Sequence, residues 1–88
     1  MDSRIIISGF IDKGEMDKAI EFVDALPQSD AETWYLKGKI FSRMGKLHEA
    51  LSCYNKALTI DPGHEEALVM IDLSQRIYAF KDPNRYNH

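Results

Sequence analysis

Apolar residues recur along most of the chain at intervals of three and four, the spacing that places side chains on one face of an α-helix. Glycine or proline interrupts this pattern at residues 12–14, 27–30, 44–46, 61–63 and 81–84. No stretch alternates apolar and polar residues long enough to predict a strand, and the short isoleucine run at residues 5–7 is interpreted as helix. The pattern therefore predicts an all-α chain of five short helices.

Two of the predicted helices carry signals at their starts. Ser29 is followed three residues later by Glu32, which is the pattern of a capping box at the start of the third helix. Glu65 and Glu66 stand where the positive end of the last helix favours negative charge. These residues support the predicted starts of the third and fifth helices.

The first two helix pairs repeat one another. Gly14 and Gly45 are each preceded by phenylalanine four positions earlier and followed by alanine five positions later. The matched pairs are Phe10 and Phe41, Ala19 and Ala50, Ile20 and Leu51, Phe22 and Cys53, and Val23 and Tyr54. A fixed period of this kind indicates stacked helical hairpins, because each hairpin buries its apolar face only against its neighbours.

The second hairpin resembles the tetratricopeptide repeat (TPR) in both residue types and spacing. The residues that carry the resemblance are Trp34, Gly38, Phe41, Gly45, Ala50, Tyr54, Ala57 and Pro62. Gly38 and Ala50 are small where two helices of a hairpin approach closely, and Gly45 suits a tight turn. The resemblance implies TPR-like hairpins stacked in a right-handed superhelix.

The resemblance weakens on both sides of this hairpin. Gly14 and Gly45 lie 31 residues apart, three fewer than the family period, so the second helix is expected to lose about one turn before Pro27. After His64 the signature fades, which is typical of a terminal capping helix. We therefore predict one domain over residues 1–81, with hairpins at about 2–26 and 30–61, a capping helix at about 64–80, and a short tail at 82–88.

The composition narrows the function classes. The formal net charge is -3 with both signs interspersed, so no block of Lys and Arg is available to follow a nucleic-acid backbone. The single cysteine, Cys53, cannot form an internal disulfide, and the first residues do not read as a signal peptide. No apolar run approaches the roughly 20 residues of a membrane span. We expect a cytoplasmic protein that binds neither nucleic acid nor membrane.

Residues that could carry chemistry are scattered. His48, His64 and His88 have no second His or Cys at a metal-ligand spacing, and Cys53 has no evident His partner. No phosphate-binding loop or nucleophile elbow is present, and the carboxylates of the second helix are interspersed with lysine. We expect no metal, no cofactor and no enzymatic activity.

In TPR proteins the first helices of successive hairpins line a concave groove. The resemblance places Tyr35, Lys39, Ser42 and Arg43 on that face, as an aromatic plate followed by two cations that suit a segment bearing carboxylates. Chaperone-binding TPRs use a cationic cluster to hold a terminal carboxylate. The corresponding residues of this chain include a single cation, so it is not assigned to that group; they are Arg4, Ser8, Leu36, Glu66 and Met70.

The capping helix is apolar around most of its circumference. Leu68, Ile71 and Tyr78 are predicted to pack on the preceding hairpin, and Asp72 and Arg76 form a polar strip. A second apolar stripe comprises Val69, Met70, Leu73, Ile77 and Phe80. The tail, a second copy of the chain, or a bound peptide would each cover this stripe, and the sequence leaves the three alternatives open.

The sequence therefore predicts a module that binds a protein or peptide in the concave groove. Lys39 and Arg43, with Tyr35, are its expected polar anchors, and Leu73 and Ile77 are its apolar ones. The alternative is a structural role in which the last helix forms a homodimer.

Overall fold

The computed structural model describes the backbone of residues 2–81 and the side chains of residues 2–76. It contains five α-helices: α1 (Ser3–Asp12), α2 (Met16–Asp24), α3 (Ala31–Arg43), α4 (Leu47–Ile60) and α5 (Glu65–Lys81). No strand occurs within these residues, so the all-α prediction of hairpin-forming helices is confirmed. The right-handed superhelix and the single domain ending at residue 81 stay predictions, and the tail at 82–88 lies outside the described residues.

The two hairpins share one turn geometry. Gly14 and Gly45 have φ angles of 74° and 78°, the left-handed region that favours glycine. In each turn the amide after the glycine donates back to a phenylalanine carbonyl, over 2.8 Å from Glu15 to Phe10 and over 2.9 Å from Lys46 to Phe41. This pattern closes the first helix of each hairpin. The internal repeat in the sequence therefore reflects a repeated structural unit.

The start of α3 differs from the predicted capping box. The helix begins at Ala31, so Asp30 and not Ser29 is the N-cap, and its Oδ1 accepts the amide of Glu32 over 3.1 Å. The Glu32 side chain points away from the cap and binds Arg4 and His64. The Ser29 prediction was wrong because Asp30 is an equally good cap one residue closer to the helix.

The seam between α3 and α4 is the most extensive contact between two of the described helices. A Cβ built on Gly38 would lie 2.4 Å from the Tyr54 ring, nearer than any real Cβ contact. Tyr54 is fully buried, with Ala50 and Ala57 one turn to either side of it. Trp34 is only partly buried, and its Nε1 donates to the carbonyl of Gln28 over 2.8 Å. The absence of a side chain at Gly38 is therefore what lets the tyrosine ring approach the backbone of α3 so closely.

The first hairpin is shorter than the second, as predicted. Helix α2 has 9 residues and α4 has 14. The connection after α2 is held to α3 by side chains, since Thr33 Oγ1 donates to the Pro27 carbonyl over 2.7 Å. Lys37 of α3 also forms a salt bridge of 3.0 Å with Asp24 at the end of α2. The hairpins therefore remain joined although α2 is short.

Helix α5 is rotated relative to the predicted packing face. Ala67 and Ser74 are buried, whereas Leu68, which was predicted to pack on the preceding hairpin, is 51% exposed. Ile71 packs partly against the core as predicted, and the side chain of Tyr78 lies outside the described residues. The Leu68 prediction was wrong because the small residues of α5, rather than its large ones, permit close contact with the rest of the stack.

Among the described helices, none combines the length and hydropathy that crossing a membrane requires.

Replacing Gly38 by alanine tests the seam. The added methyl group overlaps the Tyr54 ring, so we expect the free energy of unfolding to fall by about 2 kcal/mol. Gly9→Ala is the matched control, because a Cβ at Gly9 meets nothing within 4 Å. Since Gly9 lies inside α1, that change should stabilise by about 0.5 kcal/mol. Urea unfolding followed by circular dichroism measures both, and equal effects of the two substitutions would contradict the close contact.

Candidate binding groove

A cavity of about 110 Å³ lies where α1, α3 and α5 face one another. Its lining residues are Ser8, Ile11, Asp12, Lys39, Ser42, Arg43 and Met70. Four of the predicted site residues, from two different helices, thus line one cavity. The three helices are the first helix of each hairpin and the capping helix, which is the set that the resemblance placed along a groove.

Lys39 and Arg43 are the two cations of this cavity. Within residues 2–76, no salt bridge involves Lys39, Arg43 or Asp12. Arg43 and Asp12 are exposed and Lys39 is half-buried. The Lys39 ammonium lies 5.7 Å from the centroid of the Tyr35 ring, a cation–π distance. Together with Arg4, which has the larger effect, Lys39 lowers the pKa of Glu66, so it lies within electrostatic reach of that carboxylate.

Tyr35 does not form the exposed aromatic plate that was predicted. It is 5% exposed and does not line the cavity. Its ring lies 5.0 Å from the ring of His64 and 6.1 Å from that of Tyr54. Burial raises the pKa of its hydroxyl, with the carboxylate of Glu66 adding to the effect. The Tyr35 ring therefore makes a cation–π contact with Lys39 and is too buried to contact a partner.

Arg4 joins three helices at the opposite end of the groove. Its guanidinium binds the carboxylate of Glu32 on α3, with one contact of 2.9 Å, and that of Glu66 on α5, with contacts of 2.6 and 2.7 Å. It also lies 5.2 Å from the Tyr35 ring centroid. His64 Nδ1 accepts the amide of Ala67 over 3.1 Å, so Nε2 carries the proton and donates to Glu32 over 3.1 Å. We call these four side chains, Arg4, Glu32, His64 and Glu66, the Arg4 network.

The Arg4 network shifts the acidity of its members. Hydrogen bonds from Arg4 lower the pKa of Glu66. Burial alone would raise the pKa of Glu32, but hydrogen bonds from Arg4 and His64 outweigh it and the pKa is lowered. Hydrogen bonds to both carboxylates raise the pKa of Arg4 in turn. Two carboxylates share one guanidinium, so this end of the groove offers no free cation to a ligand.

Helix α5 supplies the apolar side of the groove. At 100° per residue, Leu73 lies beside Glu66, which binds Arg4, and near Met70, which lines the cavity; Val69 lies on the far side of Leu73 from Met70. They are 55% and 44% exposed. We call Val69, Met70 and Leu73 the apolar wall. The side chain of Ile77, predicted to belong to the same stripe, lies outside the described residues.

The outward face of α5 is polar at its centre. Asp72 and Arg76 form a salt bridge of 3.0 Å, and both side chains are exposed. Leu68 lies at the other edge of this face, away from the apolar wall. The exposed apolar residues of α5 therefore flank a charged strip and do not form one continuous patch.

The remaining candidates from the sequence do not come together. Among residues 2–76, no group of His, Cys, Asp and Glu has the proximity that a metal ion requires. Cys53 is buried, and burial raises the pKa of its thiol, which disfavours the reactive thiolate. His88 lies outside the described residues.

The resemblance placed Arg4, Ser8 and Glu66 along the groove, but sequence reasoning missed Asp12 and the contacts that join Arg4 to Glu32 and Glu66. Asp12 and Ser8 lie 31 residues before Arg43 and Lys39, the same offset that separates the two turn glycines, so the repeat itself carried this signal. The Arg4 network joins residues that are 28 and 62 positions apart. No spacing in the sequence indicates such a contact.

Comparison with known proteins agrees with this architecture. Residues 31–64 match the sequence model of the tetratricopeptide repeat. This match supports a TPR assignment for the hairpin formed by α3 and α4. Members of this family are generally protein–protein interaction modules, and their all-helical scaffolds are typically not enzymes.

A TPR repeat-containing protein of Methanocaldococcus jannaschii is 43% identical to this chain over 42 residues. The match covers 48% of this chain and 12% of that protein, so the chain spans a small part of its relative. No solved structure matches the chain significantly.

The Arg4 network predicts a specific dependence of stability on pH. Both carboxyls have a folded-state pKa below the ordinary value of 4.5, so their contribution is complete above that pH and is lost as the pH falls through the lowered values. We expect Arg4→Gln to lower the free energy of unfolding by about 1 kcal/mol at neutral pH and to flatten the acid limb of the pH profile.

Denaturant unfolding from pH 7 to pH 3 measures this effect. Arg76→Gln is the control, because it removes an exposed pair within one helix and should cost about 0.3 kcal/mol. An unchanged acid limb in Arg4→Gln would contradict the network's role in stability.

Proposed function

We propose that this TPR module binds a segment of another protein in the groove between α1, α3 and α5. The observation that carries the proposal is the meeting of Lys39, Ser42, Arg43 and Met70 at one cavity. Lys39, Arg43 and the Ser42 hydroxyl suit a carboxylate, because each of them donates hydrogen bonds.

The apolar wall supplies the second half of the contact. Aliphatic side chains of the bound segment pack on Val69 and Leu73 while its acidic group meets Lys39 and Arg43. Charged residues give orientation and buried aliphatic ones give affinity, which is the usual division in helix-lined grooves. The Arg4 network lies at the opposite end of the groove from Arg43. The acidic group of the ligand therefore binds at the end near Arg43.

The groove function involves no catalysis, metal or cofactor. A cavity of about 110 Å³ accommodates the end of one side chain, and its two cations stand beside no activated nucleophile among the described residues. A soluble cytoplasmic location is part of this proposal, as is the absence of nucleic acid and membrane among the partners.

A second candidate function is homodimerisation through α5. The observation in its favour is the exposure of Leu68, Val69 and Leu73, three large aliphatic residues on one helix. The simplest form is an isologous pair of α5 helices. The charged strip of Asp72 and Arg76 runs through the centre of such an interface, which makes the groove the stronger proposal.

Charge reversal in the groove tests the first function. We expect Lys39→Glu combined with Arg43→Glu to reduce capture of the bound protein from an extract of the source organism at least tenfold, since both anchors then repel a carboxylate. Lys13→Glu combined with Lys46→Glu is the matched control, because it changes net charge equally at exposed turn residues outside the cavity. Equal capture of the same protein by all baits would rule out the cationic anchor.

Light scattering on the purified chain tests the second function. The groove proposal predicts a monomer. A stable dimer that Leu73→Glu and Leu68→Glu both split would instead establish pairing through the outer face of α5, because the two residues lie on opposite edges of that face. Circular dichroism shows whether each variant remains folded.

A further inference from the structure

Asp12 places a negative charge opposite the two cations of the groove. It lies on α1, across the cavity of about 110 Å³ from Lys39 and Arg43 on α3. No salt bridge among the described side chains joins it to either cation. The cavity therefore presents separated charges of both signs to whatever enters it.

The rest of the groove adds more negative than positive charge. In the Arg4 network, Glu32 and Glu66 share the single guanidinium of Arg4. A ligand that extends from the cavity toward the Arg4 network moves away from Lys39 and Arg43. It then approaches Glu32 and Glu66, which both already bind Arg4. The attraction for a ligand carboxylate is therefore local to Lys39 and Arg43.

This arrangement distinguishes two kinds of acidic ligand. A single carboxylate reaches Lys39 and Arg43 with its stem directed away from Asp12, and the cavity has room for one such group. A second carboxylate beside the first meets Asp12 or Glu66 and is repelled, since like charges held close destabilise a complex. A lysine or arginine in that place forms a favourable pair with Asp12.

We propose that Asp12 is a specificity-determining residue, which makes the groove select a segment carrying one acidic residue accompanied by a basic residue and reject a run of acidic residues. The inference rests on the proposed groove-binding function and defines the charge pattern of its partner. Asp12 repels multiply acidic competitors and pairs with the basic residue, while Lys39 and Arg43 hold the acid.

Selection from a library of random peptides displayed on phage, with the full chain as bait, tests the proposal. We expect the enriched peptides to combine one acidic residue, one basic residue and aliphatic residues. The best peptide is then synthesised in three forms, with its basic residue intact, replaced by glutamine, and replaced by glutamate. Calorimetric titration against the wild type, Asp12→Asn and the control Asp17→Asn measures the affinities.

For the wild type and Asp17→Asn, replacing the basic residue by glutamine should weaken binding about fivefold, and replacing it by glutamate should weaken it further. For Asp12→Asn, the glutamine form should bind within about twofold of the original peptide. Asp17 is an exposed acidic residue on α2 that does not line the cavity, so it controls for net charge.

Two results would overturn the inference and are distinguishable from each other. The role of Asp12 is contradicted if acidic runs are enriched, or if replacing the basic residue of the peptide does not change its affinity for the wild type. The groove function still holds in that case if Lys39→Glu combined with Arg43→Glu abolishes binding. Peptides that bind this charge-reversed variant as well as the wild type contradict the groove function itself.

Discussion

The architecture depends on the close approach of α3 and α4 at Gly38. Only a residue without a side chain lets the Tyr54 ring lie against the α3 backbone, and the alanines at 50 and 57 leave room for that ring along α4. This contact sets how α3 is rotated about its axis. Because the face of α3 that bears Gly38 packs against α4, Lys39 and Arg43 lie on another side of α3, which faces the groove.

The groove has three chemically different sides. Helix α1 contributes a carboxylate and a hydroxyl, α3 contributes two cations and a hydroxyl, and α5 contributes the apolar side chain of Met70. The TPR-like stacking of helices explains why three of them line one cavity, but it does not explain this distribution of charge. The proposed recognition therefore depends on a few side chains from helices that are far apart in the sequence.

The Arg4 network gives this assembly a polar link between its first and last helices. Arg4 and Glu66 are separated by 62 residues, and the helices that carry them belong to different structural units. Ion pairs of partly exposed side chains contribute little individually, but a shared guanidinium with several hydrogen bonds contributes more. Because Arg4 binds both Glu32 and Glu66, its guanidinium is not available to a ligand carboxylate.

Several features were predicted from the sequence because they depend on local chemistry. The five helices follow from the spacing of apolar residues, and the two turns follow from glycines that adopt positive φ. The short α2 follows from counting residues between those glycines. The cap of α3 was assigned one residue too early, because Ser29 and Asp30 are both good caps and only the helix axis decides between them.

The sequence by itself determined the repeated hairpin, its turn residues, and the lysine and arginine of the groove, because each depends on residues within one helix or one period. Only the tertiary structure decided that Tyr35 is buried, that Leu68 is exposed while Ala67 is buried, and that Asp12 lines the groove while Arg4 is held by two carboxylates. These outcomes depend on how each helix is rotated about its axis. That rotation is set by contacts between helices distant in the chain, which leave no periodic signal in the order of residues.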